Sequence, residues 1–230
     1  MVKKMNVEAA SKLRTSPQVR ANTSAEAPRI PPLANPFKGG GLLLLTILGL
    51  AVVASATPLA AEGWEFNRNA ILNGEWGRIL TGHLTHWNFD HFLWDAATLL
   101  ALGVACVWRS VGRTVAALLG AAIAISAALL LFQPEIIAYR GLSGLDSALF
   151  MLLTASLWRE SRADGRRGLG VVALVATTAF LAKAAYEATT GTTLFVDSAD
   201  AGFIPLASAH LVGGVVGLLV GLSPKRDASS

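Results

Sequence analysis

The stretch TVAALLGAAIAISAALLLF, residues 114–132, decides the fold class of this chain. None of its 19 residues is charged, and about 20 apolar residues are what a helix needs to cross the hydrocarbon core of a bilayer. Similar blocks precede and follow it, and together the six lie near residues 41–60, 91–107, 114–132, 144–158, 169–185 and 204–222. The sequence therefore predicts an all-α membrane protein, a bundle of six transmembrane helices.

The composition supports a bilayer and excludes several soluble classes. Hydrophobic residues make up 53% of the 230 and charged residues only 15%, which does not suit a water-soluble globule. The net charge of +4 does not indicate nucleic-acid binding, because the basic residues stand between apolar blocks. The single cysteine, Cys106, cannot form an intramolecular disulfide. We expect the lipid bilayer as a partner and no nucleic acid.

The distribution of charge predicts the orientation of the chain. Residues 1–38 hold five of the nine prolines and seven basic residues against two acidic ones, so we expect a disordered tail on the cytoplasmic side. The loops at 108–113 and 159–167 and the carboxyl-terminal end are also basic, whereas the opposite loops are mainly acidic. The positive-inside rule then places both termini in the cytoplasm. The six-span domain is predicted over 39–223 and a short cytoplasmic tail over 224–230.

Two of the blocks need comment. The run Ala-Thr-Pro-Leu-Ala-Ala at the end of the first block, residues 56–61, is similar to a signal-peptide cleavage site, but a long polar leader and an apolar run of 20 residues favour an uncleaved anchor. The fourth block is the shortest, and a helix of its length reaches only about 22 Å at 1.5 Å per residue. We therefore expect its start to be recessed within the membrane.

Ionisable side chains inside spans are costly and usually mark a site or a pathway. The chain has five at such positions, His91, Asp95, Asp146, Lys183 and His210. On the predicted topology His91 and His210 lie in the outer half of the membrane. Ser143, which precedes the fourth block, lies at a similar depth.

A serine and a histidine on separate helices at one depth are the minimum for a nucleophile and its general base. Gly141 and Gly144 bracket Ser143 and permit close approach of the backbone, and the free amides of the helix that begins there point to where an oxyanion forms. Glycines after His210 let the sixth span approach a neighbour, the fourth span by expectation. The alternatives are an ordinary N-cap for Ser143 and a hydrogen bond between helices for His210.

Over residues 41–222 the chain resembles the rhomboid intramembrane serine proteases. Gly141-Leu142-Ser143-Gly144 resembles the nucleophile motif of that family, and Ala209-His210 with the glycines downstream resembles its base-bearing last helix. The resemblance implies a six-helix rhomboid-like bundle and a catalytic dyad of Ser143 and His210. It implies neither a cofactor nor a metal.

Two further motifs carry the resemblance. Gly74-Glu75-Trp76 with Arg78 resembles the tryptophan-arginine element of the first outer loop, and His86, His91 and Asp95 follow the family's histidine, histidine, asparagine spacing. The resemblance implies that His91 and Asp95 stabilise the oxyanion together with the amides of Leu142 and Ser143. It also implies that Trp76, Arg78 and His86 organise the outer loop, although Trp76 equally fits an interfacial aromatic belt.

Asp95 and Ser147 depart from the family pattern. An ionised Asp95 would repel a developing oxyanion, whereas a protonated one would donate a hydrogen bond to it. Ser147 stands where an aromatic ring often lies beneath the catalytic histidine, so we expect another group to hold the ring of His210.

A metal site is the alternative for the histidines of the first loop and second span. His91 and Asp95 are one helical turn apart and share a face, with His83 and His86 nearby in the sequence. No His-Glu-x-x-His helix accompanies them. We therefore favour no metal.

Lys183 and Glu187 stand four residues apart in the fifth block. This spacing predicts an ion pair on the surface of one helix. The alternative pairs Lys183 with Asp146, because a buried carboxylate needs a partner or a proton.

The run from Tyr139 to Gly144, Lys183 with Glu187, and the residues around His210 resemble most the rhombosortase branch of the rhomboids. The resemblance implies a serine endopeptidase of the bacterial inner membrane that cleaves transmembrane or carboxyl-terminally anchored segments of envelope proteins, among them Gly-Gly sorting tails. The rival hypothesis, kept open by Asp95 and Ser147, is an inactive rhomboid-like protein that binds membrane segments. A small transporter is disfavoured, because the polar residues cluster on the outer side.

Overall fold

The computed structural model describes residues 37–192 and 206–224, and this part of the chain is mostly helical. The elements are a π-helical turn (Phe37–Gly41), α1 (Leu42–Ser55), α2 (Pro58–Trp64), β1 (Phe66–Asn67), α3 (Arg68–Leu72), α4 (Arg78–Thr81), a 3-10 turn (Gly82–Leu84), α5 (Phe89–Arg109), α6 (Val111–Phe132), β2 (Ala138–Tyr139), α7 (Ser143–Asp164), α8 (Arg167–Thr190) and α9 (Ala207–Leu222). The predicted tails, 1–38 and 224–230, lie outside the described residues except at 37, 38 and 224.

Three helices, α5, α6 and α8, are long and apolar enough to cross a membrane. The bent pair formed by α1 and α2 adds a fourth candidate if it counts as one span, and α9 is a shorter apolar helix of 16 residues. The prediction of a helical membrane protein is confirmed in this form, with three to four candidate membrane-spanning helices among the described residues.

The first apolar block is not one straight helix. The prediction ran it from 41 to 60, but α1 ends at Ser55 and α2 begins at Pro58, with a bend of 118° between the two segments. The proline disfavours helical backbone at the residue before it, and Thr57 is extended, with φ −141° and ψ 152°. The Thr57 hydroxyl then accepts a hydrogen bond of 3.1 Å from the N–H of Ala60 and so caps α2.

The fourth block forms a longer helix than its apolar residues indicate. α7 has 22 residues, which corresponds to about 33 Å, and it ends where Gly165 adopts a left-handed φ of +67°. Its last residues, Arg159 to Asp164, are polar but are mostly good helix formers. Helix length therefore does not require the recessed start that the fifteen-residue block predicted.

Helix α7 lies at the centre of the bundle and packs most extensively against α9, and also against α8, α6 and α5. The contact with α9 is close because it is made at glycine. A Cβ at Gly213 would overlap the carbonyl of Gly144, and one at Gly217 would overlap the carbonyl of Ala148. The predicted packing of the sixth apolar block on the fourth is confirmed.

The loop that leads into α7 is fastened to the segment between α2 and α3. Strand β1 pairs antiparallel with β2, with Phe66 opposite Tyr139, and the N–H of Arg68 donates to the carbonyl of Ile137 at 2.9 Å. The Arg68 guanidinium donates to the carbonyls of Leu129, Leu130, Gln133 and Ile136. Arg68 thus satisfies carbonyls at the end of α6 and fixes the approach to Ser143.

Candidate active site

Ser143 and His210 meet across the contact between α7 and α9. Ser143 is the first residue of α7, and its Oγ lies 3.0 Å from Nε2 of His210, which belongs to the first turn of α9. The two residues are 67 positions apart in the chain. Ser143 is half-buried and His210 is buried, so the pair is largely shielded from solvent while Ser143 keeps some exposed surface.

The turn before Ser143 depends on Gly141. Its φ of +129° is disfavoured for other residues, and a Cβ there would come within 2.9 Å of Cε1 of His91. The Tyr139 hydroxyl donates to the Gly141 carbonyl at 3.1 Å, and burial raises the pKa of that hydroxyl, which keeps it a donor. This turn places the Ser143 side chain opposite His210 and its backbone N–H opposite α5.

The second ring nitrogen of His210 contacts a carboxylate on α8. Nδ1 of His210 lies 2.8 Å from Oε2 of Glu187, and Oε1 of Glu187 lies 2.6 Å from Nζ of Lys183. The Glu187 side chain is almost fully buried, whereas that of Lys183 is 28% exposed. A continuous line of polar contacts therefore runs from Ser143 through His210 and Glu187 to Lys183.

These contacts decide between the two pairings predicted for Lys183, with Asp146 or with Glu187. The pairing of Lys183 with Asp146 is wrong: Lys183 binds Glu187 on its own helix, and Oδ1 of the buried Asp146 has no hydrogen-bond partner among the described residues. The predicted pair of Lys183 and Glu187 does form, but Glu187 faces the bundle and not the surface. Because position 147 has no aromatic ring, another group was expected to hold the ring of His210, and Glu187 is that group. The Ser147 hydroxyl instead donates to the Ser143 carbonyl at 2.9 Å.

A second polar cluster lies on the other side of Ser143 and is centred on Asp95. Oδ2 of Asp95 accepts a hydrogen bond of 3.0 Å from the N–H of Ser143. The Nε2 atoms of His86 and His91 each lie 3.3 Å from the same oxygen. Asp95 is therefore an acceptor for the Ser143 N–H and lies beside the His91 ring, at groups that the family resemblance assigns to an oxyanion.

Leu142 contributes the start of α7. Its side chain is fully buried, and its carbonyl accepts from the N–H groups of Leu145 and Asp146 at 2.7 and 2.9 Å. The helix therefore begins at Ser143, and the dipole of its amino-terminal end favours negative charge there.

His86 and His83 are buried histidines of the first loop with different partners. Nδ1 of His86 lies 3.2 Å from the Ser55 hydroxyl, and burial lowers the pKa of His86 while Asp95 opposes that shift. Nε2 of His83 lies 3.1 Å from the Ala122 carbonyl, and burial lowers the pKa of His83 to about 4. Within 37–192 and 206–224 no group of three or more His, Cys, Asp or Glu side chains is arranged to hold a metal ion.

Trp76 lies between α3 and α4, and Arg78 is the first residue of α4. Trp76 is 62% exposed, as a residue of an interfacial aromatic belt would be. Arg78 binds the Glu75 carboxylate at 2.7 Å and the carbonyls of Glu62 and Glu65 at 2.7 and 3.1 Å. Arg78 thus joins the end of α2 to the start of α4 and does not take part in the contact between Ser143 and His210.

No protein-family profile and no curated protein matches this sequence.

Sequence reasoning missed two features around the site. The contact of Glu187 with His210 could have been suspected from the sequence. Glu187 lies near the end of the fifth apolar block and His210 near the start of the sixth, so the two residues are expected at a similar depth. No pattern in the sequence indicates the buried pair of Arg140 and Glu65, 2.8 Å apart. The guanidinium of Arg140 also lies 4.5 Å above the Trp87 ring, which anchors the loop before Ser143 to the segment that precedes α5.

Proposed function

We propose that this chain is an intramembrane serine endopeptidase of the rhomboid type, with Ser143 as nucleophile and His210 as general base. The observation that carries the proposal is the 3.0 Å contact between Oγ of Ser143 and Nε2 of His210 at the amino-terminal end of α7. Histidine is rare in membrane spans and usually marks a functional site. A serine and a histidine 67 residues apart that meet at a helix amino terminus meet the geometric requirements of acyl transfer.

The chemistry requires only these groups, a peptide bond and water. Oγ of Ser143 attacks the peptide carbonyl while Nε2 of His210 accepts the hydroxyl proton, which it passes to the leaving amine as the C–N bond breaks. His210 then takes a proton from water, which attacks the acyl-serine, and returns it to Oγ. The substrate helix must unwind locally, because the carbonyls of an intact helix are already hydrogen-bonded.

The proposal includes six spans with both termini cytoplasmic, in the inner membrane of a bacterium. α7 and α9 are the two spans that composition and length do not identify. α7 is surrounded by α5, α6, α8 and α9, so it does not need an apolar face toward lipid. The basic loops at 108–113 and 159–167 support the orientation.

The proposed substrates are transmembrane or carboxyl-terminally anchored segments of envelope proteins, with Gly-Gly sorting tails as the first candidates. This part of the proposal rests on the resemblance to rhombosortases. Small residues at the cleavage site suit a half-buried serine, since an unwound Gly-Gly segment presents its carbonyls with little steric hindrance.

A second candidate, an inactive rhomboid-like protein that binds membrane segments, is favoured by one observation. Oδ2 of Asp95 occupies the Ser143 N–H at 3.0 Å. A carboxylate held at that position opposes an oxyanion. In this candidate the polar cleft binds an unwound segment without cutting it.

The deciding experiment is covalent labelling of the purified, folded protein with a fluorophosphonate probe. We expect labelling of the wild type and none of Ser143→Ala or His210→Ala. Ser156→Ala is the matched control, because the Ser156 hydroxyl makes only a local hydrogen bond to the Leu152 carbonyl on the same helix. A folded wild type without labelling would favour the binding protein, and labelling of Ser143→Ala would refute the nucleophile.

A parallel test uses a membrane substrate. An envelope protein with a Gly-Gly, helix and arginine-rich carboxyl terminus should be cut by the wild type and remain uncut with Ser143→Ala. Cutting by both proteins would contradict the assignment of the activity to this site.

A further inference from the structure

Glu187 is a buried charge on an otherwise apolar helix face. The buried residues of α8 are Ala173, Phe180, Ala184 and Glu187, and the last three recur at the spacing of one helical face. Phe180 on this face contacts α9, since a Cβ at Gly214 would meet its ring. An apolar side chain at position 187 would continue the packing without the cost of burying a carboxylate.

The two oxygens of Glu187 have separate partners. Oε2 lies 2.8 Å from Nδ1 of His210, and Oε1 lies 2.6 Å from Nζ of Lys183. Because a carboxylate only accepts, the contact requires the proton on Nδ1 of His210. Nε2 is then left as an acceptor for the Ser143 hydroxyl at 3.0 Å.

We propose that Glu187 is a positioning residue that fixes the ring and tautomer of His210, so that the catalytic unit is Ser143, His210 and Glu187 and not a dyad. The inference rests on the proposed function, because it assigns a role within the same site. When His210 takes the Ser143 proton, the Glu187 carboxylate lies beside the imidazolium and stabilises its positive charge. Lys183 holds the second oxygen and restricts rotation of the carboxylate.

The tests compare Glu187→Gln and Glu187→Asp with the wild type. Glutamine keeps the shape but removes the charge, and its amide can donate to Nδ1, which moves the ring proton to Nε2. Aspartate keeps the charge but leaves a gap. We expect Glu187→Gln to slow fluorophosphonate labelling by at least about 100-fold, as loss of the corresponding carboxylate does in Ser-His-Asp enzymes. Glu187→Asp should be labelled faster than Glu187→Gln.

A purely structural role predicts the opposite order, because the isosteric glutamine would be tolerated and the cavity left by aspartate would not. Glu160→Gln is the matched control: this carboxylate forms an ion pair with Arg109 at 3.0 Å and is 37% exposed. Its labelling rate should equal that of the wild type. Labelling of Glu187→Gln at the wild-type rate, or faster than Glu187→Asp, overturns the proposal and leaves the serine endopeptidase standing.

Nitrogen-15 NMR of the imidazole rings gives a readout that does not depend on activity. The chain has four histidines, so a histidine variant assigns each signal. We expect His210 in the wild type and in Ser143→Ala to be protonated on Nδ1, and Glu187→Gln to gain the Nε2-protonated form. A wild-type His210 protonated on Nε2 overturns the proposal even if Glu187→Gln fails to fold. A folded wild type that is not labelled overturns both this role and the proposed function.

Discussion

Two buried carboxylates flank Ser143, and they approach it in opposite ways. Glu187 reaches the hydroxyl only through the imidazole of His210, whereas Asp95 binds the backbone N–H of Ser143 directly. Both are shielded from solvent, with 2% and 6% of their surface exposed, and both contact histidine nitrogens. The chemical groups and burial are alike, so the difference lies in what stands between each carboxylate and the reacting atoms.

Acyl transfer separates charge in a fixed direction. In the proposed reaction, positive charge would develop on His210 and negative charge on the carbonyl oxygen of the substrate. Glu187 contacts His210 and would stabilise the positive charge, whereas Asp95 contacts the Ser143 N–H and would oppose a negative charge beside it. Replacing each carboxylate by its amide should therefore change the labelling rate in opposite directions, with a fall for Glu187→Gln and a rise for Asp95→Asn.

The largest effect is expected from Gly213→Val, which separates α9 from the start of α7. A valine at position 213 would clash with the Gly144 carbonyl and push the start of α7 away from α9. This displacement would break the contact between Ser143 and His210. A displacement of about 1 Å at a catalytic centre costs on the order of 100-fold in rate. We expect at least that loss in fluorophosphonate labelling of Gly213→Val.

The control is Gly49→Val, since no atom lies within 4 Å of a Cβ built at Gly49 in α1. The ring signals of His86 and His91 should change less than that of His210 in Gly213→Val, because their contacts with Asp95 do not involve α9. The smaller variant Gly213→Ala serves if the valine protein does not fold. Labelling of a folded Gly213→Ala at the wild-type rate would show that the close approach is not needed for the site.

The next effect is of opposite sign and concerns Asp95. Asp95→Asn removes the negative charge beside Ser143 and supplies an amide that can donate to an oxyanion. One oxyanion donor typically changes the rate by roughly 100-fold. A substrate that displaces the Asp95 carboxylate from the Ser143 N–H already gains part of this effect in the wild type, so we expect labelling of Asp95→Asn to rise by only about tenfold. The measurement is the labelling rate at one probe concentration and one pH.

Asp90→Asn is the matched change on the same helix, because Asp90 is an exposed residue of the first turn of α5. It should leave the rate unchanged. An unlabelled wild type combined with a labelled Asp95→Asn would favour the binding protein as the native function and would locate the reason for inactivity at Asp95. A drop in rate with Asp95→Asn would show that the carboxylate assists the reaction.

The lengths of the apolar blocks and the charged loops between them predict most of the long helices. Each departure from the predicted helix bounds has a local cause. The bend after α1 depends on Thr57 and Pro58, which hydropathy alone reads as part of a span. The extension of α7 past the fourth block depends on polar helix formers that apolar periodicity does not detect. The close approach of α9 to a neighbour was predictable from its glycines, but the glycines alone do not identify that neighbour as α7.

The site was only partly predictable, because sequence separation hides contacts between helices. Depth brought Ser143 and His210 to one level, but depth alone does not give the rotation of a helix about its axis. That rotation decides that Glu187 faces His210 and that Lys183 binds Glu187 and not Asp146. The role of Asp95 as an acceptor for the Ser143 N–H depends on the loop at Gly141, whose backbone conformation no periodicity specifies.

The smallest effect is expected at Lys183, the outer end of the line through Glu187. Lys183→Met keeps the length of the side chain and removes the charge that binds Oε1 of Glu187 at 2.6 Å. The Lys183 side chain is 28% exposed, so water can take the place of its ammonium group at Oε1 while the other oxygen of Glu187 keeps its contact with His210. We therefore expect an effect near that of a partly exposed ion pair, with labelling slowed by only about threefold. The Glu187 contact with His210 remains, and the ring should keep its proton on Nδ1. A loss as large as that of Glu187→Gln would instead mean that Lys183 is required to keep Glu187 turned toward the imidazole, and the positioning unit would then have four members.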